Sequence, residues 1–245
     1  MKRSNLLPLL ILILSIVLLS FCQHLDQPKV LVFSKTAGYR HASIPYGIAA
    51  IQQIGKEHGF LVEATEDATY FQEDRLNQYV AVIFLSTTGN VLDSAQEGAF
   101  KKYINAGGGF IGVHAATDTE YDWPWYGQLV GGFFESHPET QKATLQVKNH
   151  NHPSTVDLPK QWNRTDEWYN FKNLNDGVNV LLTIDETSYK GGKNGNHHPM
   201  SWYHEFDGGR AFYTALGHTE ESYKEPLFLK HLTGGILYVI GNRKL

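Results

Sequence analysis

From residue 29 to residue 113 the chain alternates short apolar runs with stretches of helical periodicity, and no other feature constrains its fold as strongly. Lys29-Val30-Leu31-Val32-Phe33 is an apolar run with polar flanks, the pattern of a strand buried on both faces. Ser43 stands where a helix cap belongs, ahead of Ile44, Ile48, Ile51 and Ile54 at near-helical spacing, and Gly59 supplies the stop. Phe60–Ala64 reads as a second strand, residues 72–78 as a short helix, and Val80–Leu85 as a third strand. Asp93 or Ser94 caps a helix through Phe100, Tyr103 and Ile104, closed by Gly107-Gly108-Gly109, and Phe110–Val113 forms a fourth strand. Strand, helix and strand repeated with short turns predict a parallel sheet covered by helices on both faces. Further strands are predicted over 144–147, 178–184, 199–206 and 210–216, the last two as a hairpin about Asp207-Gly208-Gly209. Pro226 opens a closing helix through Leu229, Leu232, Ile236 and Val239.

Composition narrows the function classes. With 42% hydrophobic and 13% aromatic residues in 245, the chain can bury a core and does not read as disordered. A net charge of −4 gives no electrostatic footprint for nucleic acid, and a single cysteine allows no internal disulfide. The N-terminus reads as an address. Met1-Lys2-Arg3 is basic, and Leu6–Phe21 is apolar except for Pro8, Ser15 and Ser20, as in a signal peptide. Leu19-Ser20-Phe21-Cys22 resembles a lipoprotein processing site, with Phe21 where a small residue is usual; an uncleaved anchor is the alternative. The expected organisation is therefore a signal segment over 1–21, a linker over 22–28 beginning at a lipidated Cys22, and one domain over 29–243. This start implies export to the cell envelope, with membrane contact only through the N-terminal anchor. A lipidated Cys22 leaves no thiol for nucleophilic catalysis.

Twelve histidines make acid/base or metal chemistry worth locating. Ligands of an open parallel sheet bind beyond the carboxyl ends of its strands. The predicted strand ends carry Ser34–His41 (with Tyr39 and Arg40), Ser86–Asn90, His114–Asp118 and Gly217-His218-Thr219. His114 follows a glycine-rich turn and an apolar strand and precedes Ala115-Ala116, the layout of a nucleophile elbow carrying an imidazole. There it can serve as general base, general acid or metal ligand, or simply bond a neighbouring loop. His41, His114 and His218 with a carboxylate could assemble a non-local site for zinc or another divalent ion, although no short metal motif is present. Glu167 lies among aromatics, where burial would raise its pKa and suit it to proton transfer; a solvated loop carboxylate is the other reading. Trp123, Trp125, Trp168 and Trp202 offer platforms for sugar rings or plain core packing. His197, His198 and His204 read as structural, and His150 and His152 as solvated.

In order along the chain, Gly38-Tyr39-Arg40-His41, Gly107–His114, Gly131-Gly132-Phe133-Phe134 and His137-Pro138 are followed by three further segments. These are Asp166-Glu167-Trp168-Tyr169, His198-Pro199-Met200-Ser201-Trp202, and Gly209–Tyr213 with Leu216-Gly217-His218-Thr219. Together they resemble the ThuA (trehalose utilisation) family within the class I glutamine amidotransferase-like superfamily. The resemblance implies a three-layer α/β, flavodoxin-like fold, with histidine where amidotransferases keep their cysteine. It also implies a role in disaccharide catabolism beside a sugar oxidoreductase that makes 3-keto sugars. It nominates His41, His114, His137, Glu167 and His218 as site residues. Tyr39, Arg40, Asp118, Trp168 and Trp202 are the expected sugar contacts. Amidotransferase activity is excluded by the missing thiol. Three function classes stay open: an enzyme acting on a disaccharide or 3-keto-glycoside, a carbohydrate-binding module without turnover, and a structural protein on a degenerate scaffold.

Overall fold

A computed structural model describes residues 27–241, so the expectations for the signal segment, Cys22 and residues 242–243 lie outside the described residues. Five helices take the labels α1 (Ile44–His58), α2 (Glu73–Leu76), α3 (Ser94–Asn105), α4 (Pro124–Val130) and α5 (Pro226–Ile240). The strands are β1 (Lys29–Phe33), β2 (Leu61–Thr65), β3 (Ala81–Leu85), β4 (Gly109–Val113), β5 (Phe133–Ser136) and β6 (Gln141–Val147), then β7 (Gln161–Asp166), β8 (Asn170–Lys172), β9 (Asn179–Ile184), β10 (Pro199–Phe206) and β11 (Gly209–Thr214). Nine of them form one sheet in the order β2-β1-β3-β4-β11-β10-β9-β6-β7, while β5 and β8 pair separately. From β2 to β11 neighbours are parallel; from β11 to β7 each strand reverses its neighbour.

Residues of β4 alternate between two helical layers. A Cβ on Gly109 would strike Val239 of α5, whereas one on Gly112 would meet Val130 of α4. The α4 side holds an aromatic core in which Phe84 stacks on Phe100 at 5.4 Å and Phe33 meets Phe71 edge-on at 4.6 Å. The expected flavodoxin-like three-layer arrangement is what the chain adopts, and the β10–β11 hairpin is present. Asp93 caps α3 in a reciprocal box with Gln96. Ser43 does not cap α1: its hydroxyl donates instead to the Gly217 carbonyl at 3.2 Å, joining the loop after β1 to the turn after β11.

The alternation of direction puts the carboxyl ends of β1, β4, β11 and β7 on one rim. The His114 turn rises from β4, the His41 loop from β1, and the His218 turn from β11. Strand β7 ends at Asp166, whose carboxylate accepts the backbone amides of Gly217 and His218 at 3.0 and 3.2 Å. That contact brings the last strand of the sheet against the turn that carries His218.

Candidate metal and catalytic site

At the end of β4 the chain turns sharply. His114 adopts φ 52°, a left-handed conformation that a non-glycine residue holds only when its surroundings enforce it. The enforcing contacts are visible: the Tyr213 hydroxyl donates to the His114 carbonyl at 2.8 Å, and Ser86 N–H donates to the Val113 carbonyl at 3.1 Å. The turn drives the His114 imidazole among the other rim residues, where it is wholly buried. Its Nδ1 lies 2.8 Å from the Ala215 carbonyl, which can only accept. Nδ1 therefore carries the proton, and in the neutral ring Nε2 presents a lone pair.

Three groups converge on that lone pair. His41 Nε2 is 3.2 Å from His114 Nε2, His218 Nδ1 is 3.1 Å away, and Glu167 Oε2 is 3.4 Å away. His218 Nδ1 and Glu167 Oε2 are 3.2 Å apart. Four potential ligand atoms thus lie within 4.8 Å of one another, from four separate stretches of chain. Ligands bonded at ~2.0–2.1 Å to a tetrahedral ion stand ~3.3–3.4 Å from each other, which the four separations of 3.1–3.4 Å given above approach. The donor set fits as well, being three imidazoles and one carboxylate, with His114 Nδ1 already bonded to a carbonyl as a metal-bound histidine requires.

Electrostatics favour the ligand forms of His41 and Glu167. Burial, reinforced by the charges of His114 and His218, depresses His41 to about 3, so the ring is neutral. His41 Nδ1 is buried without a partner among the described residues. Burial pushes the Glu167 carboxyl up, but hydrogen bonds and charges from His114 and His218 outweigh it and hold the group well below the usual carboxylate range. The expectation of a raised Glu167 pKa is corrected on that ground: the aromatic neighbours are real, but two imidazoles face it. For His218 burial acts downward, and the Glu167 hydrogen bond and charge overcome it, leaving the ring raised.

Above the cluster opens a cleft of about 500 Å³, lined by Tyr39, His41, Asp118, Phe134, His137, Glu139, Thr140, Glu167, Tyr169 and His218. A larger apolar groove, about 600 Å³, runs between α1 and α5, and none of the four cluster residues lines it. His137, half exposed, places Nδ1 3.0 Å from Glu167 Oε1 and 3.0 Å from the Pro138 carbonyl. Asp118 accepts the Tyr121 hydroxyl at 2.7 Å, and burial pushes its carboxyl above the usual range. Tyr39 is 67% exposed at the rim, its ring 4.9 Å from that of His41.

Other expected contacts are not brought to the cleft. Arg40 pairs with Glu66 through two bonds of 3.0 and 2.7 Å on the surface, and does not line the cleft. Trp168 and Trp202 are corrected outright as sugar platforms. Both rings are fully buried, with their indole N–H groups donating to the Gln141 and Val130 carbonyls, so neither has a face to offer. Trp123 and Trp125 stack on each other at 4.9 Å, away from the cleft lining. His198 and His204 are structural, bonded to the Tyr169 and Leu129 carbonyls. His152 is buried against Tyr203 at 4.4 Å and is not solvated. Sequence reasoning missed Glu139 and Thr140, which share only a loop with His137. It also gave no role to Tyr169, whose ring lies 4.4 Å from His114.

Comparison with known proteins supports the same fold. The family model described as ThuA, trehalose utilisation, matches residues 29–239. A ThuA-like protein from Bacteroides uniformis superposes with a TM-score of 0.75 at 24% identity, covering 88% of this chain and 93% of the other. A ThuA-like protein from Parabacteroides merdae gives 0.74 at 18% identity, with 89% and 91% covered. A cytoplasmic protein from Salmonella typhimurium gives 0.64 at 11% identity, with 86% and 99% covered. None of the curated proteins matches the sequence.

Proposed function

The chain belongs to the ThuA family, whose description, trehalose utilisation, points to carbohydrate metabolism, and from that premise we propose a metal-dependent enzyme acting on a disaccharide or 3-keto-glycoside. One observation carries the reading: four potential ligand atoms from distant parts of the sequence lie within 4.8 Å of one another under an open cleft. Neither a binding module nor a scaffold needs a buried carboxylate facing three imidazoles.

A divalent ion such as zinc would be held by His41, His114, His218 and Glu167, and would supply Lewis acidity toward a substrate oxygen taken up as a further ligand. His114 is then a ligand and not the base, because its only free nitrogen faces the cluster and no substrate proton can reach it. The base assignment passes to His137. Both atoms near its Nδ1 are acceptors, so Nδ1 keeps the proton and Nε2 holds the lone pair on a ring that lines the cleft. In a 3-keto-glycoside the ketone acidifies the hydrogen on C2. Removal of that proton by His137 Nε2 forms the C1–C2 double bond as the C1–O bond breaks. Asp118, its carboxyl pushed upward by burial, is placed to return a proton to the departing oxygen. Tyr39 offers the exposed ring at the rim for a sugar face. An upstream sugar oxidoreductase would supply the keto group, and export through the N-terminal segment would place the reaction in the envelope.

The test is turnover of 3-keto-disaccharides by wild type, by chelator-treated protein and by His114→Ala. The proposal expects cleavage by wild type and loss in the other two. Equal turnover by all three contradicts it, and sugar-dependent thermal stabilisation without product would favour a binding module.

A further inference from the structure

Two of the four cluster residues depend on a carboxylate that is not itself a ligand. Asp166 is fully buried at the end of β7. Its Oδ1 accepts the Glu167 amide at 3.0 Å and the His218 amide at 3.2 Å, and its Oδ2 accepts the Gly217 amide at 3.0 Å. Arg164, also buried, supplies the countercharge at 3.1 Å and is itself bonded to Ser222 Oγ at 2.7 Å. We propose that Asp166 is the positioning residue of the cluster, one buried carboxylate that fixes the backbones of Glu167 and His218 together. The inference rests on the metal reading above.

The geometry explains why this position is an aspartate. The short side chain can fold back onto the next residue's amide while its second oxygen still reaches the turn after β11. Buried amides without partners are costly, so three of them aimed at one carboxylate set the loop and the turn before any ion arrives. Glu167 Oε2 and His218 Nδ1 are held 3.2 Å apart by this backbone frame. An asparagine has the same shape but only one accepting atom. It satisfies either the Glu167 and His218 amides or the Gly217 side, and it directs an N–H₂ at donors on the other.

The test measures zinc affinity by competition with a chelating dye, and the visible absorption of the cobalt(II)-loaded protein. Wild type, Asp166→Asn and the core control Ile83→Ala are compared where each is folded by circular dichroism. Asp166→Asn is expected to bind zinc about 10–100-fold more weakly and to lose intensity in the tetrahedral cobalt bands. Ile83→Ala should lower the melting temperature and change neither readout, which separates positioning from stability. Should Asp166→Asn fail to fold, amide hydrogen exchange on metal-free wild type decides: the Glu167, Gly217 and His218 amides must be protected, and rapid exchange overturns the proposal. Asp166→Asn binding zinc as tightly as wild type overturns it alone. Wild type binding neither zinc nor cobalt overturns the metal reading and this inference with it.

Discussion

Replacing His114 by alanine separates its contribution to the fold from its contribution to the metal centre. In the metal-free protein the substitution removes the bond from Nδ1 to the Ala215 carbonyl and leaves that buried oxygen unpaired. Such a loss costs about 2 kcal/mol, within the ~1–3 kcal/mol span for a buried group without its partner. For a domain of roughly 215 residues the unfolding entropy is on the order of 0.45 kcal/mol/K, so the melting temperature should fall by about 4 °C. Zinc adds a second effect. At a free concentration about 100 times Kd it stabilises the wild type by about 2.7 kcal/mol, or about 6 °C, and should leave the variant unmoved. The gap between the two proteins should therefore widen from about 4 °C in chelator to about 10 °C in zinc. Differential scanning calorimetry in matched buffers reads both numbers. An equal zinc-induced shift in the two proteins would refute the assignment of His114 as a ligand, whatever happened to the metal-free melting temperature.

Three further outcomes follow from particular residues. His137→Ala should keep its metal, since of the four cluster residues His137 bonds only Glu167, through Oε1, yet lose about 10²–10⁴ in kcat; elemental analysis beside steady-state kinetics checks both, and unchanged kcat removes His137 as base. Gly131→Ala should lower stability by about 2 kcal/mol or more, because φ is 93° there and the new Cβ would stand 2.2 Å from Trp202 Nε1; a variant that unfolds in urea with the wild type would count against that packing. His231 is buried and held neutral, its pKa depressed by burial from 6.5 to about 3. The folded value lies below the unfolded one, so this stability is complete above pH 6.5 and is lost as pH falls toward 3. Between pH 7 and pH 5 His231 should contribute about 2 kcal/mol of the loss in urea titrations, beside the losses from His41 and His152, which burial also depresses, and His231→Gln should shrink the total by about that amount; an unchanged slope would contradict the account.

The inner parallel strands were legible because they are buried on both faces and therefore continuously apolar, as in Val30–Phe33 and Ala81–Leu85. Strand β7 was not. Its buried face carries Trp162, Arg164 and Asp166, so hydropathy does not alternate along it even though burial does. Strands β5 and β8 are four and three residues long, too short for a period to register. The site was legible where a side chain is placed by its own strand end, which holds for His41, His114 and His218. It was not legible where placement depends on a distant partner. Glu167 looked like a carboxylate among rings, and the two imidazoles that lower its pKa come from residues 114 and 218. Ser43 looked like a cap, but the Gly217 carbonyl takes its hydroxyl. His152 looked solvated because the tyrosines that cover it lie on β10 and α5.

Anomalous diffraction at the zinc edge, from crystals grown with zinc, reads the centre directly. The account expects one strong peak bonded to His41 Nε2, His114 Nε2, His218 Nδ1 and Glu167 Oε2 at about 2.0–2.2 Å. Zinc bound elsewhere on the chain, with these four side chains unmoved and unligated, would contradict it.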